Sequence, residues 1–259
     1  MLSIRDLSVT FSLDKKLIHA VKSISYDVKP GQSVGIVGES GSGKSVSSLA
    51  IMGLLAPTAK VTGDISFNGQ SLMNLSKDEY RLIRGNKIGY IFQNPLAALN
   101  PVYTIGNQMI ETIQLHHSYT KNEARDYAIE LLNKVKIVDA HLRIDDYPHQ
   151  FSLGMCQRIM IAITLSMRPE LLIADEPTAS LDVTTQKEIL ALIDSLKVEY
   201  NMAMIFISHD LALVAERCDY VAVMYLGEIV EQGLPKQIFT SPKNDYTKLL
   251  IDAIPKVQF

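Results

Sequence analysis

Residues 33–55 read SVGIVGESGSGKSVSSLAIMGLL: an apolar run, a glycine-rich segment and a helix-patterned stretch in immediate succession. Within it GESGSGKS, from Gly38 to Ser45, fits G-x-x-x-x-G-K-[ST] in the strand, loop and helix context that the motif requires. The chemistry follows from the residue types. A loop of Gly38, Glu39, Ser40, Gly41, Ser42 and Gly43 can wrap so that successive backbone N–H groups face the β-phosphate of a nucleoside triphosphate. Lys44 then adds a point charge between the β- and γ-phosphates, and Ser45 offers a hydroxyl to Mg²⁺. This stretch is one half of a βαβ unit, and it predicts an α/β chain that binds a nucleoside triphosphate.

Working outward, LLIADEP (171–177) and MAMIFISHD (202–210) are short, nearly continuous apolar runs ending in charged or polar residues. That is the pattern of parallel strands covered by helices on both faces. Functional side chains are then expected at the strand ends. Asp175 can hold Mg²⁺ through water, while Glu176 polarises the attacking water. Taken alone, such a pair is as readily a solvated edge or a helix cap.

The first part of the chain alternates instead. SISYDV puts Ile24, Tyr26 and Val28 on one face, and GDISFNGQ puts Ile65 and Phe67 before an Asn68-Gly69 turn, so an antiparallel β subdomain is expected. Residues 94–167 have little strand character, with helical stretches around Ile105–Leu115, Lys121–Val135 and Gln157–Met167. They predict a helical subdomain inserted into a core and β subdomain formed by about 1–93 and 168–259. Near the end, YVAVMYLGEIVEQG reads as a hairpin and Tyr246–Ala253 as a short helix, with Pro242 and Pro255 as punctuation.

A length of 259 residues suits one large α/β unit carrying such an insertion. The net charge of -3 lacks the basic excess expected of a protein held on nucleic-acid phosphate. No apolar run approaches the roughly 18 residues needed to cross a bilayer, and MLSIRDLSVT does not form a signal peptide, so a cytosolic chain is expected. Cys156 and Cys218 are far apart and outside any CxxC pair, which predicts reduced thiols.

With the phosphate loop and the acidic strand end in place, the chain resembles the nucleotide-binding subunit of ABC transporters over essentially its full length. Gln93 in YIFQNP matches the Q-loop, Asp182 in ASLD the D-loop, and His209 in ISHD the switch histidine. Ser152, Leu153, Gly154 and Met155 in FSLGMCQR occupy the place of the signature. Phe11 in LSVTF matches the aromatic that stacks on adenine, or is a core residue of a first strand. The resemblance implies the full ABC ATPase fold, an α/β P-loop NTPase (RecA-like) core with the antiparallel β subdomain and the inserted helical subdomain, with ATP and Mg²⁺ bound. Ser45, Gln93 and Asp175 would be at the metal, and Glu176, His209 and Gln93 in catalysis. Two subunits would close over two ATPs, each held between one phosphate loop and the other subunit's signature.

The stretches NPLAALNP (94–101), IADEPTASLD (173–182) and SPKNDYTKLLIDAIP (241–255) are similar to the branch that imports dipeptides, oligopeptides or nickel and other metal chelates. The branch implies a second, different ATPase subunit, two integral membrane permeases and an extracytoplasmic binding protein. The chain would then lie on the cytoplasmic face of the inner membrane, with no nucleic acid involved. Its end at Phe259 matches the short members of the branch. Residues from about Asn94 to Ile105 would meet the permeases. Cargo stays open between peptides and metal chelates. The competing readings are a soluble ABC-type ATPase acting on nucleic acid or ribosomes, and a P-loop kinase, which would not need Gln93, Ser152 and His209 together.

The signature departs from the family pattern of Ser-Gly-Gly. Leu153 replaces the middle glycine, where a side chain disfavours positive φ close to the nucleotide. Cys156 also stands where an arginine is common. One backbone angle decides whether the leucine is tolerated or impairs the partner's ATP site.

Overall fold

A computed structural model describes residues 1–13 and 16–253; the expected punctuation at Pro255 lies outside them. The first stretch of chain forms β1 (Leu2–Leu13), β2 (Lys16–Val28), β3 (Ser33–Val37), α1 (Lys44–Ile51), β4 (Ala59–Phe67), β5 (Gln70–Ser71) and α2 (Lys77–Ile83). Then come β6 (Ile88–Ile91), α3 (Pro95–Ala98), α4 (Ile105–His116), α5 (Lys121–Lys134), α6 (Ala140–Arg143), α7 (Leu153–Leu165) and β7 (Leu171–Asp175). The remainder is α8 (Val183–Glu199), β8 (Ala203–Ser208), α9 (Leu211–Arg217), β9 (Tyr220–Tyr225), β10 (Glu228–Gly233), α10 (Pro235–Thr240) and α11 (Asp245–Asp252). The chain divides into two compact units, Met1–Leu82 with the described residues from Met202 onward, and Ile83–Asn201.

In the first unit, β2, β1, β4 and β5 form an antiparallel sheet in that order. Its alternation, broken by a register shift between Ile4 and Leu7, buries Leu2, Ile4, Leu7 and Val9 of β1 with Ile24, Tyr26 and Val28 of β2, and with Ile65 and Phe67 of β4. Asn68 and Gly69 both have positive φ, 51° and 82°, and the hairpin closes with Phe67 opposite Gln70. Two consecutive residues at positive φ match the right-handed twist of the strands they join, as the Asn-Gly pair predicts. Separately, β3 lies parallel to β8 on one side and β9 on the other, and β10 returns antiparallel to β9. Every residue of β3 and β8 is buried, the signature of strands covered on both faces.

In the second unit β6 and β7 pair in parallel, with all residues buried, and the chain between them is helical. Local signals set several helix starts. Thr104 caps α4, and Thr120 with Glu123 forms a reciprocal capping box at α5. One sequence boundary needs correction: the helix expected to begin near Gln157 begins at Leu153 and stops at Leu165. The reason is Ser152, whose side-chain oxygen accepts the Met155 N–H and so starts the helix inside the signature. The long α8 was not among the expected elements; Asp182 caps it, and Ile189, Leu190, Ile193 and Leu196 bury one stripe.

Candidate functional site

The phosphate-type loop is gripped by its own unit. A Cβ built on Gly38 would stand 2.0 Å from the Met224 carbonyl oxygen, so no side chain fits where β3 passes into the loop beside the end of β9. The N–H of Gly227, in the β9–β10 turn, donates to the Ser42 carbonyl at 3.0 Å, and the Glu39 N–H donates to the Tyr246 hydroxyl at 3.0 Å. Lys44 is only 4% exposed, and its Nζ donates to the carbonyl oxygens of Gly38 and Glu39, both at 2.8 Å. A buried ammonium is tolerable when dipoles surround it, as they do here. Ser40 and Gly41 face solvent.

Gly43 makes no side-chain cap at the start of α1, and the first turn holds no acidic residue. The positive end of the helix dipole therefore meets no carboxylate in this turn and favours an anion at the loop. Ser45 stands in this first turn. Phe11 lies on β1, half-buried, opposite Ile18 on β2 and Ala59 on β4. His209 is exposed just beyond β8, and the next residue, Asp210, caps α9 by accepting the N–H groups of Ala212 (2.8 Å) and Leu213 (3.2 Å).

In the second unit the structure brings together Gln93, Asp175 and Glu176. Gln93 Nε2 donates to Glu176 Oε2 at 2.9 Å. Buried Asp175 accepts the Tyr90 hydroxyl on Oδ2 at 2.8 Å. Sequence reasoning missed Tyr90, although it opens the YIFQNP stretch that holds Gln93. Glu176 sits at φ 45°, a left-handed conformation costing an L-residue roughly 1–2 kcal/mol. Such strain persists only where surrounding contacts hold it, and it is common where a side chain must be aimed. Here it turns the chain sharply out of the buried strand, placing the carboxylate against Gln93.

The signature residues occupy the first turn of α7. Ser152 is the cap, its Oγ accepting the Met155 N–H at 3.3 Å, and Leu153 follows inside the helix. Leu153 is absent from the residues with positive φ. Of the two outcomes the sequence leaves open, a clash between leucine and a left-handed backbone therefore does not arise. Gly154 is the constrained position: a Cβ there would lie 2.7 Å from Thr185 Cγ2.

Asp182 caps α8, accepting the N–H groups of Thr184 (3.1 Å) and Thr185 (3.0 Å). The Thr185 side chain and these N–H groups hold its carboxyl below the usual carboxylate range. Ser152, Leu153, Gly154, Asp182 and Thr185 line one open cleft of about 410 Å³. Cys156 is fully buried and donates its thiol to the Pro148 carbonyl oxygen at 3.4 Å. Burial pushes that thiol's pKa up, so it is a packing group in the place of the usual arginine.

A family model described as ABC transporter matches residues 21–179. The chain is 49% identical over 257 residues to the dipeptide transport ATP-binding protein DppD of Escherichia coli K12, covering 99% of this chain and 79% of that one. It is 44% identical to the oligopeptide transport ATP-binding protein OppD of the same organism, covering 99% and 76%. Among solved structures, the dimeric post-hydrolysis state of an ATP-binding cassette bound to ADP and Pi superposes with a TM-score of 0.81. That cassette is 27% identical, and the match covers 91% of this chain and 99% of that one. The fold expected from the sequence, an α/β ABC ATPase cassette, is the one these proteins share.

Proposed function

Because the chain belongs to the ABC transporter family, we propose that it is the ATP-binding and ATP-hydrolysing subunit of a peptide importer. Of the cargoes the sequence leaves open, peptides are favoured over nickel by the relatives, which are dipeptide and oligopeptide transport proteins. The observation that carries the catalytic reading is the Gln93–Glu176 hydrogen bond at the end of a buried strand. A carboxylate oriented by one amide donor still has lone pairs that can accept from a water, as polarising it requires.

In this reading residues 38–45 take the triphosphate, with Lys44 donating to phosphate oxygens, and Phe11 stacks on adenine. Glu176 polarises the attacking water, Gln93 orients it, and His209 contacts the γ-phosphate. The Ser45 hydroxyl, the Gln93 amide oxygen and the Asp175 carboxylate are hard oxygen donors, a set that suits Mg²⁺. Bound there, the ion would offset charge on the β- and γ-phosphates. Residues 94–167 serve as the helical subdomain.

Ser152, Leu153, Gly154 and Met155 serve a second ATPase subunit's ATP, with Asp182 beside them. That subunit is a different chain, and the pair works beneath two permeases fed by an extracytoplasmic binding protein. None of the described helices is long and apolar enough to cross a membrane, which fits peripheral attachment at the cytoplasmic face. In the assembled transporter, Glu176→Gln should retain ATP binding and lower turnover by at least about a hundredfold; near-normal hydrolysis would refute the assignment.

A further inference from the structure

Residues 241–253, SPKNDYTKLLIDA, are assigned no part in the ATPase reading, yet they reach the phosphate loop. Asn244 caps α11 by accepting the Tyr246 N–H at 2.9 Å. Glu231 of β10 accepts the N–H groups of Lys243 (2.9 Å) and Asn244 (3.0 Å), fastening the start of the helix to the hairpin. The Tyr246 ring stacks on Tyr225 at the end of β9, with centroids 4.0 Å apart and planes 28° apart. Its hydroxyl then accepts the Glu39 N–H. The other end of the loop is tied at the Ser42 carbonyl by Gly227, two residues after Tyr225.

We propose that Tyr246 is a positioning residue for the phosphate-binding loop, presenting its hydroxyl to Glu39 N–H so that the following N–H groups alone face the phosphates. The proposal rests on the ATP-binding reading and deepens it. A peptide N–H turned toward Tyr246 cannot also point into the phosphate nest, so this bond selects one loop conformation. The same peptide group is held at both ends, its Glu39 N–H by Tyr246 and its Gly38 carbonyl by Lys44 Nζ at 2.8 Å.

The test uses the full chain, comparing wild type, Tyr246→Phe, Tyr225→Phe and Lys44→Ala by MgATP titration, thermal unfolding without nucleotide, and hydrogen exchange. Phenylalanine at 246 keeps the ring stack and removes only the hydroxyl. Losing one neutral hydrogen bond should weaken MgATP binding about fivefold. The Glu39 amide should exchange faster, while the melting temperature stays near that of wild type and Tyr225→Phe binds normally. Unchanged affinity in Tyr246→Phe would overturn the proposal, as would an equal loss in Tyr225→Phe or a loss that merely tracks a lower melting temperature. Failure of the wild type to bind MgATP, or unaltered binding by Lys44→Ala, would instead sink the ATP-site reading, and this inference with it.

Discussion

Leucine at 153 and glycine at 154 exchange the importance that the sequence suggests for them. The first helical position accepts any L-residue, and Leu153 stands there. Leu153→Gly should therefore leave ATPase turnover of the assembled transporter within about twofold, with a stability loss below the ~1 kcal/mol of a mid-helix glycine. Gly154→Ala is different, because its methyl would meet Thr185 Cγ2 at 2.7 Å. Overpacking of this kind costs about 1–3 kcal/mol, which chemical denaturation would measure, and Thr185→Ser in the same chain should return most of it by removing the methyl in the way. Failure of that rescue would mean that Gly154 is needed for something other than space. Lys44, Glu176 and His209 could be singled out from the sequence as candidates because short motifs carry them. Tyr90 and Tyr246 could not, since their partners lie 85 and 207 residues away in sequence.

Among elements, legibility tracked how local the cause was. The Asn68-Gly69 turn follows from two adjacent residues that tolerate positive φ, and the β9–β10 hairpin was readable from its alternation although Leu226 itself sits at φ 46°. The start of α7 was misplaced because a single serine oxygen decides it, and the apolar pattern becomes continuous only later. Attachment of α11 depends on tertiary contacts. At its start Glu231 is the clasp: burial pushes its carboxyl pKa up, but the Lys243 and Asn244 N–H groups outweigh this and hold it below the ordinary glutamate range. A depressed folded pKa means that the stabilisation is full above the unfolded value and is lost as pH falls through the folded one. Amide protection in Asp245–Asp252 should accordingly decline on acidification below the usual glutamate range. Glu231→Gln should lower that protection at neutral pH and remove its acid dependence. Equal acid dependence in the variant would assign the titration to another group.

On the scale of the molecule, the helical stretch must do something that the nucleotide chemistry does not require. Just past Gln93 the chain exposes apolar side chains that no core claims: Leu96 is 50% exposed, Val102 73% and Tyr103 54%. The backbone under them is ordered by its own caps. Asn94 accepts the N–H groups of Leu96 and Ala97, and Gln108 Nε2 donates to the carbonyls of Asn100 and Tyr103 at 3.0 Å. A stiff loop presenting apolar groups to solvent suits a partner surface, and in an importer subunit that partner is a permease. Because Gln93 begins this segment and touches Glu176, under the proposed function its position would link the permease contact to the group that polarises water. Leu96→Asp with Val102→Asp should therefore abolish or strongly reduce peptide uptake by reconstituted vesicles. Basal ATPase activity and the melting temperature should change little, since neither side chain is buried. Uptake that survives both charges would place the permease contact elsewhere, and an equal fall in uptake and hydrolysis would show that the segment supports the ATPase itself.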